Sequence, residues 1–139
     1  MARDTMQTLI RLAGSEVDTA RQELQKVLAR EDQLNADLAA LADEIARESD
    51  LARKQADMAG DFGVYMVRAK RRREILHRNL QDLQPEIEAA RDKLAEAFAN
   101  QKKYEIAKDN RDTAELADRN HKETQELDEL GLNKHRRGG

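Results

Sequence analysis

Counting forward from Ile10 in alternating steps of three and four residues lands on Ala13, Val17, Ala20, Leu24, Val27, Glu31, Leu34, Leu38, Leu41 and Ile45. Ten of these eleven positions are apolar, Glu31 being the exception, and the positions between them are mostly charged or polar. A seven-residue apolar repeat held this long keeps one narrow stripe on one side of a helix, as a left-handed coiled coil requires. The pattern therefore predicts a long helix and disfavours disorder, despite a charge content that would suit it. Gly14 lies inside the run and costs about 1 kcal/mol relative to Ala, so fraying is expected in the first turns.

The pattern breaks at MAGDFG, residues 58–63. Gly60 is a good left-handed helix cap, Asp61 a good cap for the start of the next helix, and Gly63 a relaxed entry. A second stripe then reads Phe62, Met66, Ala69, Arg73, Leu76, Leu80, Leu83, Ile87, Ala90, Leu94 and Ala97, again with a single exception. Two long helices joined by a short connection pack antiparallel. The expectation is an all-α fold, a long antiparallel two-helix coiled-coil hairpin over residues 1–130. Arm one covers about 4–58, the bend about 59–63, and arm two about 64–130. Arm one alone would be a rod on the order of 80 Å long at roughly 1.5 Å per residue.

A reversal at about Asp61 sets Ile45 near His77, Leu41 near Leu80 and Leu83, Leu34 near Ile87, and Val17 near Tyr104. Two rivals use the same stripes: chains that exchange arms, and chains that pair in parallel. Pro85 falls in arm two, where its missing N–H and its ring predict a kink about one turn upstream or a restart of the helix. Beyond Tyr104 the stripe meets Lys108, Arg111, Glu115 and Asp118, so the helix is expected to continue without a strong partner. Gly131 ends the pattern, and residues 131–139 read as a flexible basic tail.

Composition narrows the function. The chain has 139 residues, 38% of them charged, with two Phe, two Tyr and no Trp. So few large side chains do not fill an ordinary globular core. The lack of cysteine excludes disulfides and thiolate metal sites. The longest apolar stretch, around Phe62–Val67, is far short of the roughly 20 residues needed to cross a bilayer. The N-terminus does not read as a secretory signal, which points to a cytoplasmic protein. No phosphate loop, nucleophile elbow or dinucleotide turn is present, and His77, His121 and His135 lack metal-ligand spacing. Neither enzyme activity nor a cofactor nor a metal is expected.

Charge is unevenly placed. Residues 1–60 hold 8 basic and 12 acidic side chains, residues 61–80 hold 6 and 2, and residues 81–139 hold 11 and 14. The basic block is Arg68, Lys70, Arg71, Arg72, Arg73 and Arg78. In one reading these residues pair with Glu44, Glu48 or Asp50 across the hairpin, each pair contributing about 0.2–1 kcal/mol. In the other they dock an acidic partner. Nucleic acid is disfavoured by the net charge of −3 and by the lack of a stacking platform. A membrane surface is disfavoured because the arginines lie on several faces. Phe62 and Met66 close the end of the stripe, whereas Tyr65 lies off it and reads as an exposed contact.

The N-terminal run TLIRLAGSEVDTAR, with Thr8, Leu9, Leu12, Ala13, Glu16, Val17, Asp18 and Ala20 in a TLxxLAxxEVDxA pattern, resembles the flagellar type III export family FliJ and its injectisome YscO-like relatives. The heptad arm, the glycine-containing bend and the longer charged second arm extend that resemblance over most of the chain. The resemblance implies a coiled coil similar to the central shaft of rotary ATPases, with no active site of its own. Its partners would be a hexameric export ATPase, a membrane-embedded export gate and export chaperones, with membrane association only through partners at the inner-membrane export apparatus. ATPase contacts would fall on Arg11, Glu16, Asp18, Arg21, Lys102, Lys103 and Lys108. Gate contacts would fall on Tyr65, Arg68, Lys70, Arg71 and Arg72. The competing class is a generic coiled-coil scaffold or spacer that binds an acidic partner or nucleic acid through the arginine block.

Overall fold

A computed structural model describes residues 2–138. Two helices account for almost all of them: α1, Ala2–Lys54, and α2, Ala59–Gly138, separated by a single 3-10 turn at Ala56–Met58. No strand occurs among the described residues. The chain divides into two compact units, residues 16–97 and, separately, the residues up to Ser15 with those from Phe98 onward.

The reversal lies a few residues before the glycines. Helix α1 stops at Lys54, and Gln55 adopts an extended conformation (φ −129°, ψ 101°). Its amide still donates to the Leu51 carbonyl at 3.1 Å, and the Met58 amide donates to the Gln55 carbonyl at 3.1 Å. The backbone therefore stays hydrogen-bonded through the break. Arg53 and Lys54 close α1, and Asp61 opens α2, each sign matching the helix dipole at its end. The bend expected at about 59–63 is thus corrected to Gln55–Met58. Gly60 and Gly63 lie inside α2, and no described glycine has a positive φ. A left-handed glycine cap is dispensable where one extended residue already turns the chain.

In the unit of residues 16–97, α1 and α2 pack antiparallel. Val17, Ala20 and Ala97 form one buried cluster, with Leu94 against it. Leu41, Ala69 and Leu76 form another, flanked by Leu34, Leu38, Ile45 and Tyr65. Three polar contacts set the register: Arg30 to Glu86 at 3.2 Å, Lys93 to Glu23 at 4.0 Å, and the Gln84 amide donating to Glu31 at 2.9 Å. The residue numbers in each pair add up to 115 or 116. The pairs expected from a bend at Asp61 add up to 121–124, so they are corrected by about one heptad. Leu41 clusters with Leu76 instead of Leu80 or Leu83, and Val17 clusters with Ala97, the place expected of Tyr104.

The stripes themselves are as the spacing predicts. Every position from Ile10 to Ile45 is buried or half-buried, Glu31 included, and so is every position from Phe62 to Ala97 except Arg73, which is exposed. Among the described residues, half of the ten buried ones are alanines, and Leu83 is the largest side chain fully withdrawn from water. Burying a Leu contributes about 1.5–3 kcal/mol and an Ala much less, so stability is concentrated at a few leucines and Ile87. Helix α2 runs without interruption through Pro85. Pro85 and Gln81 are both exposed residues, so the helical hydrogen bond that proline removes is lost on the solvent side of α2, where its cost is lowest.

In the other unit, Ala13 is buried and Leu9 and Ile10 are half-buried. A Cβ on Gly14 would come 3.3 Å from the Gln101 amide nitrogen, so α2 passes close here. Burial does not stop at Tyr104. It continues on Lys108, Arg111 and Glu115 with the same spacing and then ends, every residue from Leu116 to Gly138 being exposed. Only the apolar character of the stripe fails. The tail expected at 131–139 is corrected as well: helix α2 continues through Gly131 to Gly138. Intrahelical ion pairs Lys108–Asp112, Arg111–Glu115 and Lys122–Asp118 support this single helix by about 0.2–0.5 kcal/mol each.

Candidate binding surfaces

The start of α2 carries the densest positive charge. Arg68, Lys70, Arg71, Arg72, Arg73 and Arg78 are all exposed. None has a carboxylate within 4 Å among the described residues. The expected pairs with Glu44, Glu48 and Asp50 do not form. Asp50 pairs with Arg53 at 3.4 Å on its own helix, and Glu44 and Glu48 lie beside Tyr65.

Tyr65 is not the exposed anchor that its position off the stripe suggests. Its ring stacks on Phe62 with centroids 6.3 Å apart and packs against the Leu41–Ala69–Leu76 cluster. Its hydroxyl is shielded from water, with the Glu44 carboxylate as the neighbouring acceptor, close enough to favour the protonated phenol but outside good hydrogen-bonding geometry. Desolvation raises the phenol's pKa, the nearby carboxylates of Glu44 and Glu48 raise it further, and Arg47 opposes them. An aromatic ring wide enough to reach the seam from a flanking position escapes a strict three-four count.

Sequence spacing also passes over three apolar residues that face solvent. Val64, Val67 and Ile75 are 58%, 70% and 54% exposed. With Arg68, Arg71 and Arg78 they form a mixed apolar and cationic face, opposite the stripe that packs on α1. A count of positions half a helical turn from the seam exposes this face in the sequence.

The residues assigned to an ATPase contact divide between the two units. Arg11, Lys102 and Lys103 are exposed in the unit containing the chain ends, and Lys108 there is half-buried, 4.0 Å from Asp112. Glu16, Asp18 and Arg21 are exposed in the unit of residues 16–97. The depressions that line the helices are surface grooves, such as the one bordered by Arg30, Leu34, Leu83 and Glu86. Among the described residues no group of three His, Asp or Glu side chains is placed to hold a metal. Nor, among the described residues, is any helix long and apolar enough to cross a membrane.

The family model described as "Flagellar FliJ protein" matches residues 2–139. The chain belongs to the FliJ family. It is similar to the flagellar FliJ proteins of Caulobacter vibrioides strains NA1000 / CB15N and ATCC 19089 / CIP 103742 / CB 15, at 29% identity over 136 residues that cover 95% of each chain. No solved structure matches. Membership in the FliJ family assigns the chain an accessory role in flagellar export.

Proposed function

We propose that this chain is a central stalk for a hexameric flagellar export ATPase, promoting its assembly and turnover without catalysing a reaction itself. The family match over residues 2–139 carries this reading. Two packed helices with charged, exposed flanks suit it physically, because a pair of helices can enter a ring and expose only solvated side chains to it. One asymmetric pair cannot match six subunits equally, so the contacts are polar and individually weak. Arg11, Glu16, Asp18, Arg21, Lys102, Lys103 and Lys108 make them. The export gate is met by Arg68, Lys70, Arg71 and Arg72, whose guanidinium and ammonium groups are unneutralised, while Tyr65 acts from inside by holding that part of α2 on α1. Export chaperones are handled at the same apparatus, at the cytoplasmic face of the inner membrane.

The test is a turnover assay of the purified ATPase with increasing amounts of this protein. Turnover and the hexamer fraction rise with wild-type protein, and Arg11→Glu combined with Arg21→Glu reduces the rise. Unchanged turnover across all stoichiometries overturns the stalk assignment. The unneutralised arginines also favour a second reading, a coiled-coil spacer that binds through this block. A salt-sensitive gel shift with RNA or DNA, lost on neutralising the arginines, would support it.

A further inference from the structure

We propose that the solvent-facing side of α2 over residues 64–78 docks a second copy of this chain, by way of the outer face of that copy's α1. The contact goes beyond the stalk assignment and does not rest on it, although it shares Arg68 and Arg71 with the proposed gate contact.

The first observation is a second stripe on α2. Val64, Arg68, Arg71, Ile75 and Arg78 follow steps of four, three, four and three, and all are exposed. This is the spacing that one helix presents to another. The helix already has a partner on its opposite side, so this row is free to meet a second helix. It holds two β-branched apolar residues and three cations that make no ion pair among the described residues.

The second observation is the chemistry of the outer face of α1. Asp32, Ala36, Ala39, Asp43 and Ala46 follow steps of four, three, four and three, are all exposed, and lie opposite the seam of their own helix. Asp32 and Asp43 make no ion pair among the described residues. Residues 31–50 hold 7 acidic and 1 basic side chains, against 2 acidic and 6 basic over residues 61–80. Within one molecule the two faces point away from each other and cannot neutralise. Between two molecules they fit. Laid antiparallel, Arg78 meets Asp32, Ile75 covers Ala36, Arg71 covers Ala39, Arg68 meets Asp43 and Val64 covers Ala46. Alanine lets the helices approach, and the arginine forks suit carboxylates.

The same observations disfavour other occupants. Val64, Val67 and Ile75 are too short to insert in a bilayer, and no Trp, Phe or Leu accompanies them on this face. Nucleic acid finds no exposed ring to stack on. The two complementary faces lie on opposite sides of the packed helices, so the contact is heterologous and does not close on itself. Association therefore grows with concentration instead of stopping at a dimer.

Sedimentation velocity of the full chain tests this. At low ionic strength the weight-average mass is expected to climb above 15.9 kDa as concentration rises, and to return to it at about 0.5 M salt, where charges are screened within a few ångströms. Arg68→Glu with Arg78→Glu makes both faces acidic and abolishes the climb. Asp32→Arg with Asp43→Arg makes both faces basic and does the same. Mixing the two variants restores association, while the thermal unfolding of each stays close to wild type, since the changed residues are exposed and unpaired. A wild-type mass that stays monomeric at low salt overturns the proposal. So does association that neither variant affects, or binding of the monomer to vesicles of phosphatidylglycerol in place of self-association.

Discussion

Arg30 on α1 and Glu86 on α2 lie 3.2 Å apart, both largely exposed. Their pairing adds little energy, about 0.2–1 kcal/mol, but it fixes which heptad of one helix faces which heptad of the other. Cysteines placed at Glu31 and Gln84, which meet through a side-chain hydrogen bond beside this pair, should therefore form a disulfide rapidly in this cysteine-free chain. A cysteine at Arg91 in place of Gln84 is one heptad away and should crosslink slowly. Equal rates, or preference for the second pair, would return the reversal to Asp61.

The concentration of stability at a few large side chains gives a sharper contrast. Leu83→Ala removes the largest fully buried side chain and should cost about 2–5 kcal/mol. Leu130→Ala changes a residue that is 64% exposed on a stretch of α2 with no partner, and should change stability by less than about 0.5 kcal/mol. Denaturant melts followed by circular dichroism read both. Similar losses for the two would mean that the end of α2 is packed against something.

Gly60 and Gly63 discriminate between the two locations of the turn. Both lie in α2, and a Cβ at either would meet nothing within 4 Å. Gly60→Ala and Gly63→Ala should each raise stability by about 0.5–1 kcal/mol, the ordinary cost of glycine in a helix. Destabilisation by either substitution would indicate a left-handed backbone at that residue and restore the glycine bend.

Tyr65 predicts a pH dependence. Desolvation first, then Glu44 and Glu48, raise its pKa in the folded state, against Arg47. The fold thus holds the phenolic proton more tightly than the unfolded chain does. That stabilisation is complete below the unfolded value of about 10 and is lost as pH rises through the folded value. Wild type should lose midpoint stability above about pH 10 faster than Tyr65→Phe, which cannot ionise. Parallel curves for the two proteins would show that the hydroxyl has no such role.

Much of this architecture is legible in the residue pattern, for reasons that also explain what is not. The stripes from Ile10 to Ile45 and from Phe62 to Ala97 are readable because seam burial follows helical period alone. Register is not, because sliding one stripe along the other by about a heptad still sets apolar against apolar. Only polar pairs such as Glu31 with Gln84 distinguish the two alignments. The turn is misplaced for a related reason: glycine permits a left-handed cap but does not demand one, and Gln55 turns the chain with ordinary angles. Tyr65 reads as exposed because a heptad count assigns faces to Cα positions, whereas a large ring reaches sideways. The basic block is plain in the sequence, but that its cations stay unpaired depends on where Glu44, Glu48 and Asp50 point. Helix beyond Gly131 escapes notice because every side chain there is exposed, so the segment leaves no apolar trace, and a glycine reads as a stop.

The stretch of α2 after Glu115 has a thermal consequence of its own. With every side chain in water, its helicity depends on neighbouring residues along one strand of backbone, and such segments unwind gradually from the end. Heating should therefore erode the ellipticity of this chain on a slope before the packed helices come apart in a step. A protease present at moderate temperature would trim the carboxyl end first and leave the paired helices whole.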